Sequence, residues 1–232
     1  MMDATRTTVG ILDYGIGNIT SVARALEASG AKPLLVDTPQ ALKGIDALVL
    51  PGVGAFGAAC ENMRESGMDL AVPDFADSGR PILGICLGMQ LMFDISEESR
   101  GQMGLSLFRG RNVRVGGYKA GGRPENDGFP GVKVPHTGWN DVFPEGSAME
   151  PLLEGAAGKF YFTHSYAAMP EDESIVAART PLSGRLPGEG QTIVSAVRKG
   201  NVFGVQFHPE KSGEAGLALI AAFVSLGRKA SA

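Results

Sequence analysis

Of the 232 residues only two are cysteine, one is tryptophan and three are histidine. Two thiols, Cys60 and Cys86, cannot build a disulfide framework, and no histidine stands at metal-finger spacing from either. A stapled secreted scaffold and a zinc module are therefore not indicated. Positive charge is also thin: 21 basic against 25 acidic side chains leave a formal net charge of −4, without a basic block. That balance argues against a nucleic-acid partner, whose binding rests on neutralised phosphates. Long apolar runs are missing too. The longest charge-free stretch, Ala47 to Cys60, has 14 residues and is interrupted by Pro51 and three glycines, too short to span a membrane. Met1 to Thr8 carries Asp3 and has no apolar core behind a cationic start, so the expectation is a cytoplasmic protein without a secretory signal.

What is present is a globular composition, 44% hydrophobic and 20% charged, with glycine abundant at 33 residues. The length suits one large domain or two small ones. Apolar runs at Val9–Leu12, Leu34–Val36, Ala47–Leu50 and Ile82–Ile85 read as buried strands, and helical spacing follows at Ser21–Ser29 and again up to Met63. Strands alternating with helices predict βαβ units and a mostly parallel sheet with helices on both faces. Beyond Gly104 the chain turns to short β-rich runs, at Asn112–Val115, Phe160–Thr163, Ile175–Ala178, Thr192–Val197 and Val202–Phe207, which predict antiparallel hairpins. A glycine-rich stretch at 116–131 reads as a surface insertion, and Ser212–Leu226 as a closing helix with Ser212 as its cap.

Two local patterns carry chemistry. Gly84-Ile85-Cys86-Leu87-Gly88 lies between an apolar strand and a helical run, the layout of a nucleophile elbow with sulfur in place of oxygen. An isolated thiol is most often a packing residue, as Cys60 is expected to be, but the flanking glycines allow the sharp turn that exposes a nucleophile. At such a turn the Leu87 amide can donate to an oxyanion. A thiol needs a base, and His208 stands in Phe207-His208-Pro209-Glu210, where Glu210, two residues on, can reach the same side of an extended segment and orient the ring. His164 has no carboxylate at short spacing and reads as a structural or interface residue.

Gly84 to Gln90 (Gly-Ile-Cys-Leu-Gly-Met-Gln) together with Gln206 to Ser212 (Gln-Phe-His-Pro-Glu-Lys-Ser) resembles the class I glutamine amidotransferases. Four further segments narrow the resemblance to the glutaminase subunits of imidazole glycerol phosphate synthase: Asp13 to Asn18, Pro51 to Phe56, Pro135 to Asn140 and Tyr161 to Tyr166. The resemblance implies a three-layer, flavodoxin-like α/β fold in a single domain over residues 1–232, with added antiparallel strands in the C-terminal half. It implies a triad of Cys86, His208 and Glu210 that cleaves the side-chain amide of L-glutamine, with backbone amides of Val53 and Leu87 as the oxyanion hole. Gly54, Gln90, Glu98, Ser165 and Tyr166 are its substrate contacts. Trp139, Asn140, Tyr161 and Lys211 fall at the partner interface and the ammonia passage. The implied partner is a separate cyclase subunit, a (β/α)8 barrel, forming a heterodimer in histidine biosynthesis that also releases a purine precursor. No metal or organic cofactor is implied.

A rival within the same chemistry is the amidotransferase component of anthranilate or aminodeoxychorismate synthase. Those relatives usually carry histidine where this chain has Met89. From another class, a non-catalytic regulatory module could keep the fold, though it would have little need for cysteine, histidine and glutamate together.

Overall fold

The computed structural model describes residues 6–15, 17–115, 118–119, 123–124, 133–146, 149–153, 158–182 and 191–230. The first half runs β1 (Thr8–Leu12), α1 (Ile19–Ala28), β2 (Lys32–Val36), β3 (Ala47–Leu50), α2 (Phe56–Ser66), α3 (Met68–Asp77), β4 (Ile82–Ile85), α4 (Leu87–Leu91) and β5 (Phe93–Ser96). The second half adds β6 (Phe108–Arg114), the short pair β7 (Tyr118–Lys119) and β8 (Arg123–Pro124), β9 (His136–Asp141), β10 (Phe143–Pro144) and α5 (Glu150–Leu153). It closes with β11 (Lys159–His164), β12 (Tyr166–Pro170), β13 (Val176–Pro181), β14 (Thr192–Lys199), β15 (Val202–Val205) and α6 (Gly213–Ala230).

Eight strands form one sheet in the order β10-β13-β14-β15-β4-β3-β1-β2. The run from β15 to β2 is parallel, and β14, β13 and β10 extend it antiparallel. Strands buried on both faces need apolar residues at every position, and β3 supplies them: Ala47 and Val49 face the layer holding α1 and α6, while Leu48 and Leu50 face α2, α3, α4 and the smaller β12-β6-β5 sheet. The mostly parallel sheet with antiparallel additions is as the sequence predicts.

Two local expectations change, and one strand appears where the sequence reading placed none. The helical run after the elbow is only five residues long, and Phe93–Ser96 turns into a strand paired in parallel with β6. The Val202–Phe207 run is not a simple hairpin arm: β15 pairs antiparallel with β14 on one side and parallel with β4 on the other. The Ser212 hydroxyl does not cap α6. It donates to the His208 carbonyl at 2.6 Å and accepts the Tyr161 amide at 3.0 Å, joining the His208 segment to β11. Of the expected insertion at 116–131, only the short β7–β8 pair falls within the described residues.

The topology also decides where chemistry can sit. Because β3, β4 and β15 are adjacent and parallel, their C-terminal ends deliver residues 51–54, Cys86 and residues 206–210 to one edge of the sheet. That edge is where open parallel sheets bind ligands. The turn after β4 is packed without slack: a Cβ on Gly88 would lie 1.9 Å from the Leu50 carbonyl oxygen, and one on Gly52 would lie 2.4 Å from the Gly88 nitrogen. Gly88→Ala should therefore cost about 3 kcal/mol or more of folding free energy, visible as a lowered denaturant midpoint. The exposed Gly200→Ala, with open space but φ of +59°, should cost only about 1 kcal/mol.

Candidate active site

The nucleophile candidate follows β4 directly. Cys86 has φ of 52° and ψ of −105°, a conformation costly for a residue with a side chain, and its amide donates to the Val205 carbonyl at 2.7 Å. Such strain persists only where the surroundings hold it. Here the register pairs Ile85 with Val205 and so clamps the turn against β15. The side chain is 6% exposed. Its Sγ lies 3.8 Å from the Thr163 carbonyl oxygen, to which the thiol can donate, and accepts the Gln206 carboxamide N–H at 3.5 Å.

After β15 the chain leads to His208, the residue before a 3-10 turn at Pro209–Lys211. Its Nδ1 meets Glu210 Oε1 at 2.8 Å, and both side chains are 1% exposed. The His208 amide donates to the Tyr161 carbonyl at 2.8 Å, so ring and backbone are both held. Burial works against a charged imidazole. Hydrogen bonds to Cys86 and Glu210, and the negative charge of both, outweigh it and raise the ring from 6.5 to about 9. With Nδ1 taken by Glu210, the interaction with Cys86 falls to Nε2, which has no nitrogen or oxygen partner among the described residues.

Beside Cys86 opens a cavity of about 280 Å³. Val53, Gly54, Leu87, Gln90, Glu98, Ser165 and Tyr166, all of them singled out in the sequence, line it. Leu87 begins α4, so by position its N–H has no intrahelical acceptor. Two polar residues are more committed than their sequence positions suggest. Glu98 Oε2 accepts the Phe56 amide at 2.8 Å at the start of α2. Gln90 Nε2 donates to the Tyr166 carbonyl at 2.8 Å and to Gln206 Oε1 at 3.2 Å.

Across the paired strands β9 and β11, Trp139 stands opposite Tyr161 with ring centroids 5.8 Å apart, and the Lys211 ammonium lies 6.0 Å from the Tyr161 centroid. Trp139 is 53% exposed, so it is not a core ring. Tyr161 also reaches inward, its ring 6.5 Å from that of His208. Asn140 Nδ2 meets His136 Nε2 at 3.2 Å.

Several contacts around the site are not foreseen from the sequence. Tyr14 donates its hydroxyl to the Pro51 carbonyl, bracing the segment that carries Val53. Burial, followed by the negative charges of Cys86 and Cys60, pushes its phenol far above the ordinary range. His136 and His164 meet at 2.9 Å, and His164 Nδ1 lies 2.8 Å from the Tyr166 carbonyl oxygen. A carbonyl can only accept, so His164 donates from Nδ1 and His136 donates to its Nε2, with both rings neutral. Burial first, then the charge of His136, lowers His164 to about 3, and burial lowers His136 as well. Gln206 carries one signal that could have found it: it precedes His208 by two residues, a spacing that favours one side of an extended segment. Cys60 is buried against α2's neighbours, and burial pushes its thiol to about 11.

Among the described residues no group of three or more His, Cys, Asp or Glu side chains is arranged to hold a metal ion, and no helix is long and apolar enough to cross a membrane.

The pH dependence follows from the raised imidazole. The charged ring's stabilisation is complete below about pH 6.5 and is lost as pH rises through about 9. Glu210→Gln removes one of the two partners that hold the charge. The alkaline limb of the pH–rate profile for the reaction at Cys86 should then move to lower pH, and the rate should fall by about 10²- to 10⁴-fold.

A family model for class-I glutamine amidotransferases matches residues 10–225. The chain is 43% identical over 220 residues to the imidazole glycerol phosphate synthase subunit HisH of Geobacillus sp. (strain WCH70), covering 94% of this chain and 96% of that one. It is 44% identical over 237 residues to the HisH subunit of Halobacterium salinarum, covering 96% and 97%. Among solved structures, a crystal structure of a glutamine amidotransferase superposes with a TM-score of 0.67 at 22% identity, covering 95% of this chain and 98% of that one. PurLQS from Thermotoga maritima gives a TM-score of 0.67 at 19% identity, with coverage of 95% and 98%. At these identities the structural likenesses speak to the three-layer α/β fold alone.

Proposed function

The chain belongs to the class-I glutamine amidotransferases, among the HisH subunits of imidazole glycerol phosphate synthase, and from that premise we propose that Cys86, His208 and Glu210 are the catalytic triad of its glutaminase reaction. The protein is a glutamine amidotransferase that supplies the glutaminase function of that synthase in histidine biosynthesis. The observation that carries the triad is the buried His208–Glu210 pair, joined at 2.8 Å, with the outer ring nitrogen left without a conventional partner beside a cavity lined by Cys86.

On this reading the thiol's proton already rests on His208, whose raised basicity holds it there, and the sulfur attacks the side-chain carbonyl carbon of L-glutamine. The developing oxyanion is held by the Leu87 amide at the start of α4 and by the Val53 amide. His208, oriented and kept basic by Glu210, passes the proton to the departing nitrogen, so ammonia leaves and a thioester remains. Water, deprotonated by the same ring, releases glutamate. Gly54, Gln90, Glu98, Ser165 and Tyr166 surround the rest of the substrate. Glu98 retains a second carboxylate oxygen for the glutamine ammonium, while Gln90 is left with its carbonyl oxygen, since both its N–H groups are engaged.

The relatives support a partner in histidine biosynthesis. We infer that the partner is a separate cyclase subunit, a (β/α)8 barrel, bound as a heterodimer. Trp139, Asn140, Tyr161 and Lys211 would face it and the route by which ammonia leaves. The exposed Trp139 ring beside Tyr161 is the kind of aromatic anchor that interfaces favour. One glutaminase domain over residues 1–232, working in the cytoplasm without a metal or organic cofactor, completes the proposal.

Cys86→Ala should lower glutamine-dependent turnover of the assembled synthase by about 10³-fold or more and leave turnover with ammonium salts unchanged. Product formation with each nitrogen source checks this. Equal loss with both sources would overturn the assignment.

A further inference from the structure

We propose that Gln206 is the residue that positions the Cys86 sulfur as a thiolate, and that Gln90 fixes the direction in which Gln206 points. This rests on Cys86 being the nucleophile, and it adds two side chains that would not react themselves.

Gln206 is fully buried, and its carboxamide lies between Cys86 Sγ and the Gln90 side chain. A buried amide can be turned either way, and the two directions have opposite consequences for a neighbouring sulfur. With its NH2 toward Cys86, as here at 3.5 Å, it donates to sulfur and favours the anion. Turned over, it would set a carbonyl oxygen against the same sulfur and disfavour the anion.

The surroundings decide between the two. Gln90 Nε2 reaches Gln206 Oε1 at 3.2 Å, so a turned Gln206 would bring two NH2 groups face to face. Gln90 cannot turn to relieve this, because its second N–H is spent on the Tyr166 carbonyl at 2.8 Å. That carbonyl also receives the His164 Nδ1–H at 2.8 Å, which makes His164 Nε2 the acceptor for His136. Every donor direction from Asn140 on β9 to the sulfur is thereby determined, ending on an N–H aimed at Cys86. The Thr163 carbonyl at 3.8 Å can only accept and so holds the thiol form. An anion keeps the Gln206 N–H together with the charged His208 ring, and of these two donors only Gln206 is uncharged.

The test is the pH dependence of Cys86 alkylation by iodoacetamide in the assembled, glutamine-free synthase, followed by mass spectrometry of the Cys86 peptide. Tyr14 and His208, the titratable groups whose charges act together with Cys86, stay unchanged. Gln206→Met keeps the bulk and removes the donor. The alkylation midpoint should rise by about one pH unit, which is about tenfold slower labelling below it, with kcat for glutamine falling about tenfold and KM moving less than about threefold. Gln206→Glu, an acceptor of the same shape, should raise the midpoint further than Gln206→Met. A purely structural role would not produce that order. Gln90→Met should raise it in the same direction without touching the sulfur, and it carries the test should Gln206→Met not fold. An unchanged midpoint in the folded variants overturns the proposal. Failure of the unmodified synthase to hydrolyse glutamine would instead overturn the glutaminase reading.

Discussion

The Cys86 amide donates to the Val205 carbonyl at 2.7 Å, and this backbone bond between neighbouring parallel strands holds the Cys86 turn against the segment that leads to His208. The residues concerned are more than a hundred positions apart in the chain, and no local interaction could hold them together. Parallel pairing does so because β4 and β15 end at the same level of the sheet, Ile85 beside Val205, so whatever follows each strand emerges at the same edge. β3, paired in parallel on the other side of β4, adds the Pro51–Gly54 segment to that edge. Sheet order, rather than any one side chain, sets the separation between sulfur and imidazole.

That arrangement carries costs that the packing meets nearby. Cys86 holds a positive φ, and it is pinned by the backbone bond to Val205 and by the tight approach of Gly88 to Leu50. The His208–Glu210 pair is almost wholly out of water, which is expensive for charged groups unless their hydrogen bonds are met. The Tyr161 carbonyl, and the Ser212 hydroxyl acting on the His208 carbonyl, tie down the backbone around the pair. Glu210 Oε2 remains without a partner among the described residues, so this carboxylate is poised on one strong contact, the imidazole.

How much of this could be read in the chain divides by sequence distance. The elbow and the His-Pro-Glu segment are each contained in a few residues, and their backbone requirements show directly: glycines on either side of Cys86, proline between His208 and Glu210. The parallel half of the sheet was legible because strands buried on both faces are nearly continuous apolar runs, as Ala47–Leu50 is. β5 was not, because Phe93–Ser96 continues the helical spacing of the preceding residues and becomes a strand only by pairing with β6. Ser212 looked like a cap because hydroxyls before helices usually are, whereas here a tertiary contact with Tyr161 competes for it. The bonds among Gln90, Tyr166 and Gln206 link residues 76 and 116 positions apart, and nothing local marks one glutamine as the partner of another.

The paired histidines have a consequence of their own. Burial holds His164 near 3 and keeps His136 low, so at neutral pH neither ring carries an extra hydrogen ion. Their donor directions are already consumed, by each other and by the Tyr166 carbonyl. On the proposed reading, ammonia released at Cys86 would find no proton to take from these two rings, and the acid that remains nearby is His208.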